Sequence, residues 1–580
     1  MRRSRSRSTR SRDRDLSDRR IAIGGAMRRS RSRSTRSRDR DLSDRRMALP
    51  IAIDALRLAA RCVDHDRRIA IARRSKRRSR SELWVAGSIG ALALDLARWL
   101  RSRLKSFLLY LWTTPYLLKF ALIVGMAGLT CGYDSGVLPQ VFLLVEDESK
   151  LIKLKETEFQ NTLLSVGLGS AILGSSGGPW VAETLGRKIS IICADILFVI
   201  GLAMFSMAPA TEMLVLGRVC VGIGMGLLTV MTPQLLGEIS TAPIRGSLTS
   251  LNGLFFGLGY LSSSIFSVLL LKFPNAWRYT VGVGLVFPFM QIFFILKIGV
   301  ESPIWLLQQG RTLEAEELTD KLHPREIADE LKKYFKRITE SGVCTFPRKA
   351  KLAMSQEPFL RALRAGLTVQ AAQNFSGFKM MLKYLPDVLH LSGMRSSVIL
   401  SQVSIISSSV ICFGFLCTFM VIDRIGRRVL FICSLILISL VHLGMGSIIN
   451  TSSKNDQMEE NGFLGFAGAL LYTVFFFSYT IGIGTLTPIY NAEIYETKFS
   501  LVGMGTSFIF SWTLALIMGN IFVPPDSFSK ASGTFYLSCG LSLLGLIAVY
   551  TLVPETLQKT PEQILEIMKE KFYPWPFNSR

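Results

Sequence analysis

The chain has 580 residues, 49% of them hydrophobic, and a mean hydropathy of +0.34, which is too apolar for an ordinary soluble protein of this length. The net charge of +25 suggests a nucleic-acid partner until the charges are located. Residues 1–46 hold 18 Arg and 6 Asp, and residues 47–80 hold ten Lys or Arg and three Asp, so the first 80 residues carry 19 of the 25 charges.

The N-terminal segment at 1–80 is Arg-Ser-rich, and its residues 1–20 recur identically at 27–46. Such a composition cannot bury a core and predicts disorder. An RNA- or protein-binding arm is one interpretation. We favour the alternative, a duplicated leader without function, because an exact 20-residue duplication is better explained by a duplication in the gene than by a binding function. No nucleic-acid partner is therefore expected. Residues 81–115 combine apolar residues with arginines and form a candidate interfacial helix, with a leader extension without function as the alternative.

Apolar runs then recur along the chain, each long enough to cross a bilayer as a helix. We place twelve of them, at 117–139, 160–182, 188–208, 212–236, 246–271, 279–299, 365–388, 399–422, 428–450, 463–491, 502–523 and 533–553. The chain is therefore predicted to be an all-α, multi-pass integral membrane protein.

The first run contains a carboxylate, Asp134, between Gly132 and Gly136. An ionisable residue at membrane depth is costly unless it faces a polar interior or a partner. Asp134 therefore indicates a transport pathway, with a purely structural ion pair as the alternative. Arg218, early in the fourth run, is the expected counter-charge.

The two halves of the chain repeat each other. Glu183, Glu238 and Glu301 correspond to Asp423, Glu493 and Glu555 at offsets of 240, 255 and 254 residues. This spacing predicts two six-helix halves with a site between them. The expected divisions are an N-terminal bundle at 116–303, a cytoplasmic linker at 304–360, a C-terminal bundle at 361–555 and a cytoplasmic tail at 556–580.

Basic residues concentrate in the short connections after spans 2, 4, 8 and 10 and in the linker. Cytoplasmic loops of membrane proteins carry an excess of Lys and Arg, so we expect these connections and both termini to lie in the cytoplasm. We expect the protein to reside in the plasma membrane. The nine cysteines form no CxxC pair and the four histidines show no metal spacing. With no Walker A sequence, the chain is not expected to be an enzyme or to need a cofactor or metal.

Several motifs occur together between residues 117 and 570. They are GYDSGV at 132–137, GRVCVGIGMG at 217–226, Glu301-Ser-Pro303, Asp423-Arg-Ile-Gly-Arg427-Arg428 and Pro554-Glu-Thr556. With them the chain resembles the sugar porter branch of the major facilitator superfamily. The run from Gly482 to Tyr495 looks most like the inositol and polyol members.

The resemblance implies roles for charged residues. In proton-coupled members, the residue matching Asp134 gains and loses the proton, with the residue matching Arg218 as its partner. It also implies a charged gate network that latches the inner side when the protein faces outward. Its members here are Glu183, Arg187, Glu238, Arg245, Asp423, Arg427, Arg428 and Glu493. Fixed topology charges without a gating role are the alternative.

The substrate-binding positions depart from the family. Gly253 and Tyr260 stand where the family has two glutamines, Pro488 where it has tryptophan, and Lys379 where it has a sugar-binding asparagine. The remaining polar candidates for substrate binding are Gln370, Gln373, Asn374, Lys379, Tyr384, Asn491 and Trp512. If Lys379 faces the cavity it favours an anionic solute. The alternatives are that it snorkels or pairs with a carboxylate.

We therefore predict a secondary transporter that moves a sugar, a polyol or a related small polar solute by alternating access, with proton symport left open. A monomer in the lipid bilayer is expected. The alternative is a non-transporting solute sensor on the same fold. The 25 residues that follow Glu555 are short for a signalling tail, which argues against the sensor.

Overall fold

The structure, a computed structural model, describes residues 114–144, 157–339, 346–383, 397–454, 462–521 and 528–570. The leader at 1–80 and nearly all of the candidate interfacial helix lie outside these residues. Every regular element among the described residues is an α-helix, which confirms the prediction of an all-α protein.

The first half contains five long helices followed by a broken sixth span. Their bounds are α1 Pro115–Leu144, α2 Thr157–Leu185, α3 Arg187–Ser206, α4 Thr211–Ile239, α5 Arg245–Leu270, α6 Ala276–Val283 and α7 Val286–Ile298. The predicted polar linker is also helical. It forms α8 Pro303–Gln308, α9 Thr312–Leu322, α10 Arg325–Thr339 and α11 Phe346–Met354.

The second half repeats the arrangement, with breaks in its first and fourth spans. Its helices are α12 Glu357–Phe375, α13 Phe378–Lys383, α14 Ser397–Ile425, α15 Arg427–Lys454, α16 Gly462–Ile481, α17 Ile483–Ile494, α18 Ser500–Ile521, α19 Phe528–Leu552 and α20 Pro561–Lys569. Each of the twelve predicted spans thus corresponds to one helix or to two consecutive helices.

Within the described part of the chain, ten spans are long and apolar enough by composition to cross a membrane. The two others are α2 and the pair α12–α13. Both contain polar side chains that line the central cavity, Asn161 and Ser165 in α2 and Gln373 and Asn374 in α12.

Two of the breaks lie beside the cavity. Between α12 and α13, Gly377 has a positive φ of 71°, a conformation that glycine adopts without steric cost. Gly482 separates α16 from α17 with φ −128° and ψ −106°. Non-helical backbone at membrane depth is tolerated where it is buried in protein or lines a cavity. Gly377 and Gly484 both belong to the cavity lining.

The halves pack together through α5 against α14 and α2 against α18, and α1 packs along α5 inside the first half. The contact between α1 and α5 depends on small residues. A Cβ at Gly259 would lie 2.2 Å from the Leu129 carbonyl oxygen and 2.8 Å from the Tyr133 backbone nitrogen. Small residues at such crossings let helix backbones approach closely in a membrane.

We expect Gly259→Ala to destabilise the protein, because the added methyl group meets backbone atoms that can move only by separating α1 from α5. Overpacking of this kind costs about 1–3 kcal/mol. Thermal unfolding in detergent micelles measures the change.

The matched control is Gly169→Ala in α2, where a Cβ would meet nothing within 4 Å. Alanine is favoured over glycine inside a helix by about 1 kcal/mol, so this variant should be as stable as the parent or more so. Equal midpoints for Gly259→Ala and the parent would contradict the close packing of α1 on α5.

Candidate functional site

A cavity of about 370 Å³ lies between the two halves. The first half contributes residues from α1, α2, α4 and α5, and the second half contributes residues from α12 to α14 and from α16 to α18. The cavity extends toward the end of the bundle that lies away from the short α2–α3 turn. Its lining there includes Phe142, Asn161 and Met518, which lie near the ends of α1, α2 and α18. A volume of this size is typical of small-molecule sites.

Asp134 and Arg218 form an ion pair in the wall of this cavity. Arg218 Nη1 donates to Asp134 Oδ1 at 2.9 Å and to Oδ2 at 3.0 Å. Both residues are buried, and the Arg218 guanidinium also lies 5.1 Å from the centre of the Phe205 ring. The carboxylate is thus held by a single arginine in a partly apolar pocket that is continuous with the cavity.

Lys379 lies on the opposite side of the cavity, in α13 just after the break at Gly377. Its Nζ atom is 4.3 Å from the centre of the Trp512 ring in α18. Both residues belong to the cavity lining. The structure therefore resolves one question that the sequence left open, since the Lys379 side chain faces the cavity.

The predicted residues Gln373 and Asn374 also line the cavity, and each is held by a second residue. Gln373 Nε2 donates to the Tyr479 hydroxyl oxygen at 3.1 Å, and Asn374 Nδ2 donates to Ser511 Oγ at 3.0 Å. Tyr479 stacks on Phe378, with ring centres 3.9 Å apart. These contacts fix two amide groups where they can bind solute hydroxyls.

Three predicted substrate-binding residues are not placed in the lining. Gln370 is completely buried and neither side-chain polar atom has a hydrogen-bond partner among the described residues. Asn491 is also completely buried, and its amide bonds the Thr487 carbonyl oxygen and the Tyr495 hydroxyl. Tyr384 lies outside the described residues.

The predicted gate residues lie at the opposite end of the bundle, which we call the charged end: Glu183, Arg187, Glu238, Arg245, Asp423, Arg427, Arg428 and Glu493. In the first half, Arg187 is only 1% exposed and pairs with Glu238 through Nη2 at 3.0 Å and Nε at 3.2 Å. Ser302 donates to the same carboxylate. Glu301 accepts the backbone N–H groups of Arg187 and Lys188.

The second half contains the same arrangement. Arg427, 1% exposed, pairs with Glu493 through Nη2 at 2.7 Å and Nε at 3.2 Å. Thr556 Oγ1 donates to Glu493 at 2.7 Å, and Glu555 accepts the backbone N–H groups of Arg427 and Arg428. Carboxylates at helix N-termini stabilise the helix by satisfying these free N–H groups.

The glycines before α3 and α15 complete the repeated arrangement. Gly186 and Gly426 have φ values of 96° and 98°, which favour glycine. A Cβ at Gly186 would lie 2.3 Å from Glu301 Oε2, and one at Gly426 would lie 2.6 Å from Glu555 Oε2. Each turn therefore brings its carboxylate against the start of a helix. Burial raises the pKa of Glu301, and the backbone N–H groups that it accepts oppose this change.

Three of the four remaining gate residues have other surroundings, and the fourth, Asp423, joins the two halves. Glu183 pairs with Lys349 of the linker helix α11. Arg428 donates from its guanidinium to the Tyr550 carbonyl oxygen. Arg245 is half-buried at the first position of α5.

Hydrogen bonds join the two halves at the charged end. The Ser247 backbone N–H donates to Asp423 Oδ2 at 2.9 Å, and the Ser247 hydroxyl bonds the same oxygen. Gln234 Nε2 donates to Ser500 Oγ at 2.6 Å and to Glu238 at 2.7 Å. Three hydrogen bonds thus join the halves at this end. Toward the other end, where the cavity extends, the hydroxyls of Ser264 in α5 and Ser408 in α14 lie 2.7 Å apart.

Several residues of this arrangement were not among the predicted gate or substrate-binding residues, although Glu301 and Glu555 belong to the repeated charges and motifs of the sequence. Those at the charged end are Glu301, Ser302, Glu555 and Thr556, and those in the cavity are Tyr479 and Ser511. The repeated Glu-Ser and Glu-Thr pairs were the available signal for the first group, because they recur at the offset of the other repeated charges. No sequence pattern indicated Tyr479 or Ser511, which contact other spans.

The described residues contain no group of three or more His, Cys, Asp or Glu side chains that could hold a metal ion. The seven described cysteines are free thiols. The arrangement therefore offers polar groups and charges for reversible binding of a solute.

Comparison with known proteins agrees with this architecture. Residues 120–568 match the family described as Sugar (and other) transporter. Inositol transporter 4 of Arabidopsis thaliana is 27% identical over 80% of this chain and 94% of its own length. The galactose-proton symporter of Escherichia coli K12 is 27% identical over 76% and 92%.

Among solved structures, the proton:xylose symporter XylE bound to 6-bromo-6-deoxy-D-glucose superimposes with a TM-score of 0.68 at 19% identity. The match covers 78% of this chain and 99% of that protein. This likeness confirms the predicted major facilitator fold. Together with the family match over most of the chain, it shows that the protein is a multi-pass membrane transporter, not an enzyme, and that it belongs to the sugar transporter family.

Proposed function

We propose that the protein carries a sugar, a polyol or a related small polar solute across the membrane by alternating access, with one proton coupled through Asp134 and Arg218. The observation that carries this proposal is the cavity between the halves. It has amide groups from Gln373 and Asn374 on one side and the ion pair on the other. Relatives named as inositol, polyol and galactose-proton transporters support the solute class.

The proton step follows from the position of the ion pair. Burial favours the neutral form of a carboxylate, and a nearby arginine favours the charged form. When Asp134 takes up a proton, Arg218 loses its ionic partner and is free to turn toward solute or toward another group. Solute binding and protonation then act on the same wall of the cavity, which is the physical basis for coupling.

The networks at the charged end are proposed to latch that side of the transporter. Arg187 with Glu238 and Arg427 with Glu493 hold each half together, and the contacts of Ser247 with Asp423 and of Gln234 with Ser500 join the halves. Movement of the solute to the charged side requires these joining contacts to separate. The alternative of a non-transporting sensor is not favoured, because the matched relatives are named transporters.

We further propose that the charged end faces the cytoplasm, that both termini lie there, and that the protein acts as a monomer in the plasma membrane. The basic residues at this end support the orientation through the excess of Lys and Arg on cytoplasmic loops. An epitope at the C-terminus should react with antibody only after the cells are permeabilised.

The direct test is uptake of radiolabelled inositol, polyols and hexoses into transport-deficient cells that express the full chain. We expect saturable uptake of at least one of these solutes, enhanced by an inward proton gradient. A version lacking residues 1–80 should transport equally well once it reaches the membrane. Absence of uptake of every solute by correctly delivered protein would contradict the proposed function.

A further inference from the structure

We infer that the solute is anionic: a polyhydroxylated molecule carrying one carboxylate or phosphate group, which pairs with the Lys379 ammonium in the central cavity. This inference rests on the proposed transport function and narrows its substrate class.

The charges that line the cavity do not cancel. Three charged side chains belong to the described lining, namely Asp134, Arg218 and Lys379. The first two pair with each other at 2.9 Å. The third is paired with no acidic side chain in the described part of the chain, and its contact there is the Trp512 ring. The lining therefore has a net charge of +1 while Asp134 is ionised.

The backbone around Gly377 places Lys379 at the cavity. The positive φ of Gly377 ends α12 and redirects the chain, so that Phe378 and Lys379 enter the lining as the first residues of α13. Phe378 is fixed by stacking on Tyr479. The ammonium then lies over Trp512, where the negative face of the ring attracts a cation.

The groups around Lys379 suit one anionic group and several hydroxyls. The Trp512 indole N–H is buried and has no hydrogen-bond partner among the described residues, so it is a second donor beside the ammonium. Gln373, Asn374 and Ser511 supply amide and hydroxyl groups to the same cavity. A neutral solute would leave the lysine without an ionic partner in a confined site, whereas an anionic one would neutralise it.

The test uses pairs of solutes that differ in charge alone as far as possible. A hexose is compared with its uronate, in which a carboxylate replaces the terminal CH₂OH, and myo-inositol is compared with an inositol monophosphate. Each unlabelled solute competes with uptake of the best labelled solute in proteoliposomes that contain the full chain. For the parent protein we expect the anionic member of at least one pair to compete about tenfold better than its neutral partner. A preference in the hexose pair would indicate recognition of a carboxylate, and a preference in the inositol pair would indicate recognition of a phosphate.

Three variants identify the residue responsible. Lys379→Asn should abolish or reverse the preference for the anionic member, and Lys379→Arg should keep it. The matched control is Lys297→Asn. Lys297 is, like Lys379, an exposed lysine beside an aromatic ring, 5.7 Å from the centre of Phe293, but it is not part of the described lining. Its replacement should leave the preference unchanged.

The outcomes separate this inference from the proposed function. If the parent protein transports neutral sugars or polyols and they compete better than their anionic partners, the inference is overturned and the proposed function stands. A preference for anions that survives in Lys379→Asn also overturns it. If no member of either pair is transported or competes, both the inference and the proposed function fail. The competition in the parent protein decides the matter even if Lys379→Asn does not fold.

Discussion

Asp134→Asn is expected to abolish proton-driven accumulation while keeping exchange of solute down its gradient. Asparagine resembles the protonated carboxyl group, so the cavity wall keeps its shape but can no longer lose a proton. Uptake into proteoliposomes measures both activities, with a pH gradient for accumulation and preloaded unlabelled solute for exchange. Arg218→Ala should do more harm, because it leaves the buried Asp134 carboxylate without the guanidinium that holds it at 2.9 Å.

A second buried carboxylate in the same half provides the comparison. Asp195 in α3 is completely buried, and neither of its oxygens has a hydrogen-bond partner among the described residues. It is not part of the described cavity lining. Asp195→Asn should therefore retain accumulation. Accumulation that persists in Asp134→Asn, or that is lost only in Asp195→Asn, would show that the pair of Asp134 and Arg218 is structural.

Glu493→Ala is expected to cause a large loss of stability at the charged end. It removes two hydrogen bonds, at 2.7 and 3.2 Å, from a guanidinium that is 1% exposed, and it also removes the acceptor for Thr556. Breaking a buried ion pair from one side costs about 3–5 kcal/mol. Arg427 keeps its contact with Asp423 at 3.1 Å, so we expect a loss at the lower end of that range. Thermal or denaturant unfolding in micelles measures the loss.

The control is a pair with similar geometry in solvent. Arg311, the residue before α9, and Glu314 of α9 are joined through two guanidinium nitrogens, one of them at 2.7 Å, but their side chains are about half exposed. Exposed pairs contribute about 0–1 kcal/mol, so Glu314→Ala should change stability little. Similar losses for Glu493→Ala and Glu314→Ala would mean that the charged end is not a buried network.

The sequence was sufficient to predict the twelve spans and the division into halves. Each span is a long apolar run, and the recurrence of charged residues at offsets of 240 to 255 residues is independent of the exact helix ends. The pairing of Asp134 with Arg218 was also predictable, since two opposite charges in apolar spans are stable chiefly together.

The cavity lining was harder to predict, because residues on one helix face lie at different depths along the bundle and because a helix break redirects the chain. Gln370 and Asn374 lie one turn apart in α12, yet Asn374 lines the cavity and Gln370 is buried away from it. Lys379 faces the cavity because the chain turns at Gly377, and a continuous helix would have given it another direction. Tyr479 and Ser511 enter the site through contacts between spans, which no local pattern records.

The contacts between the halves at the charged end also imply a difference between the two sides of the membrane. Ser247 and Gln234 make three hydrogen bonds across the halves, two of them to the Asp423 carboxylate. Separating all three costs roughly 4–7 kcal/mol, at about 1 kcal/mol for the neutral bond and roughly 1.5–3 kcal/mol for each charged one. A state that lies about 4 kcal/mol higher has a population of roughly 0.1%, because every 1.4 kcal/mol is a factor of ten. Apparent affinity falls in proportion to the population that is competent to bind, so solute offered from the charged side should bind more weakly than solute offered from the cavity side.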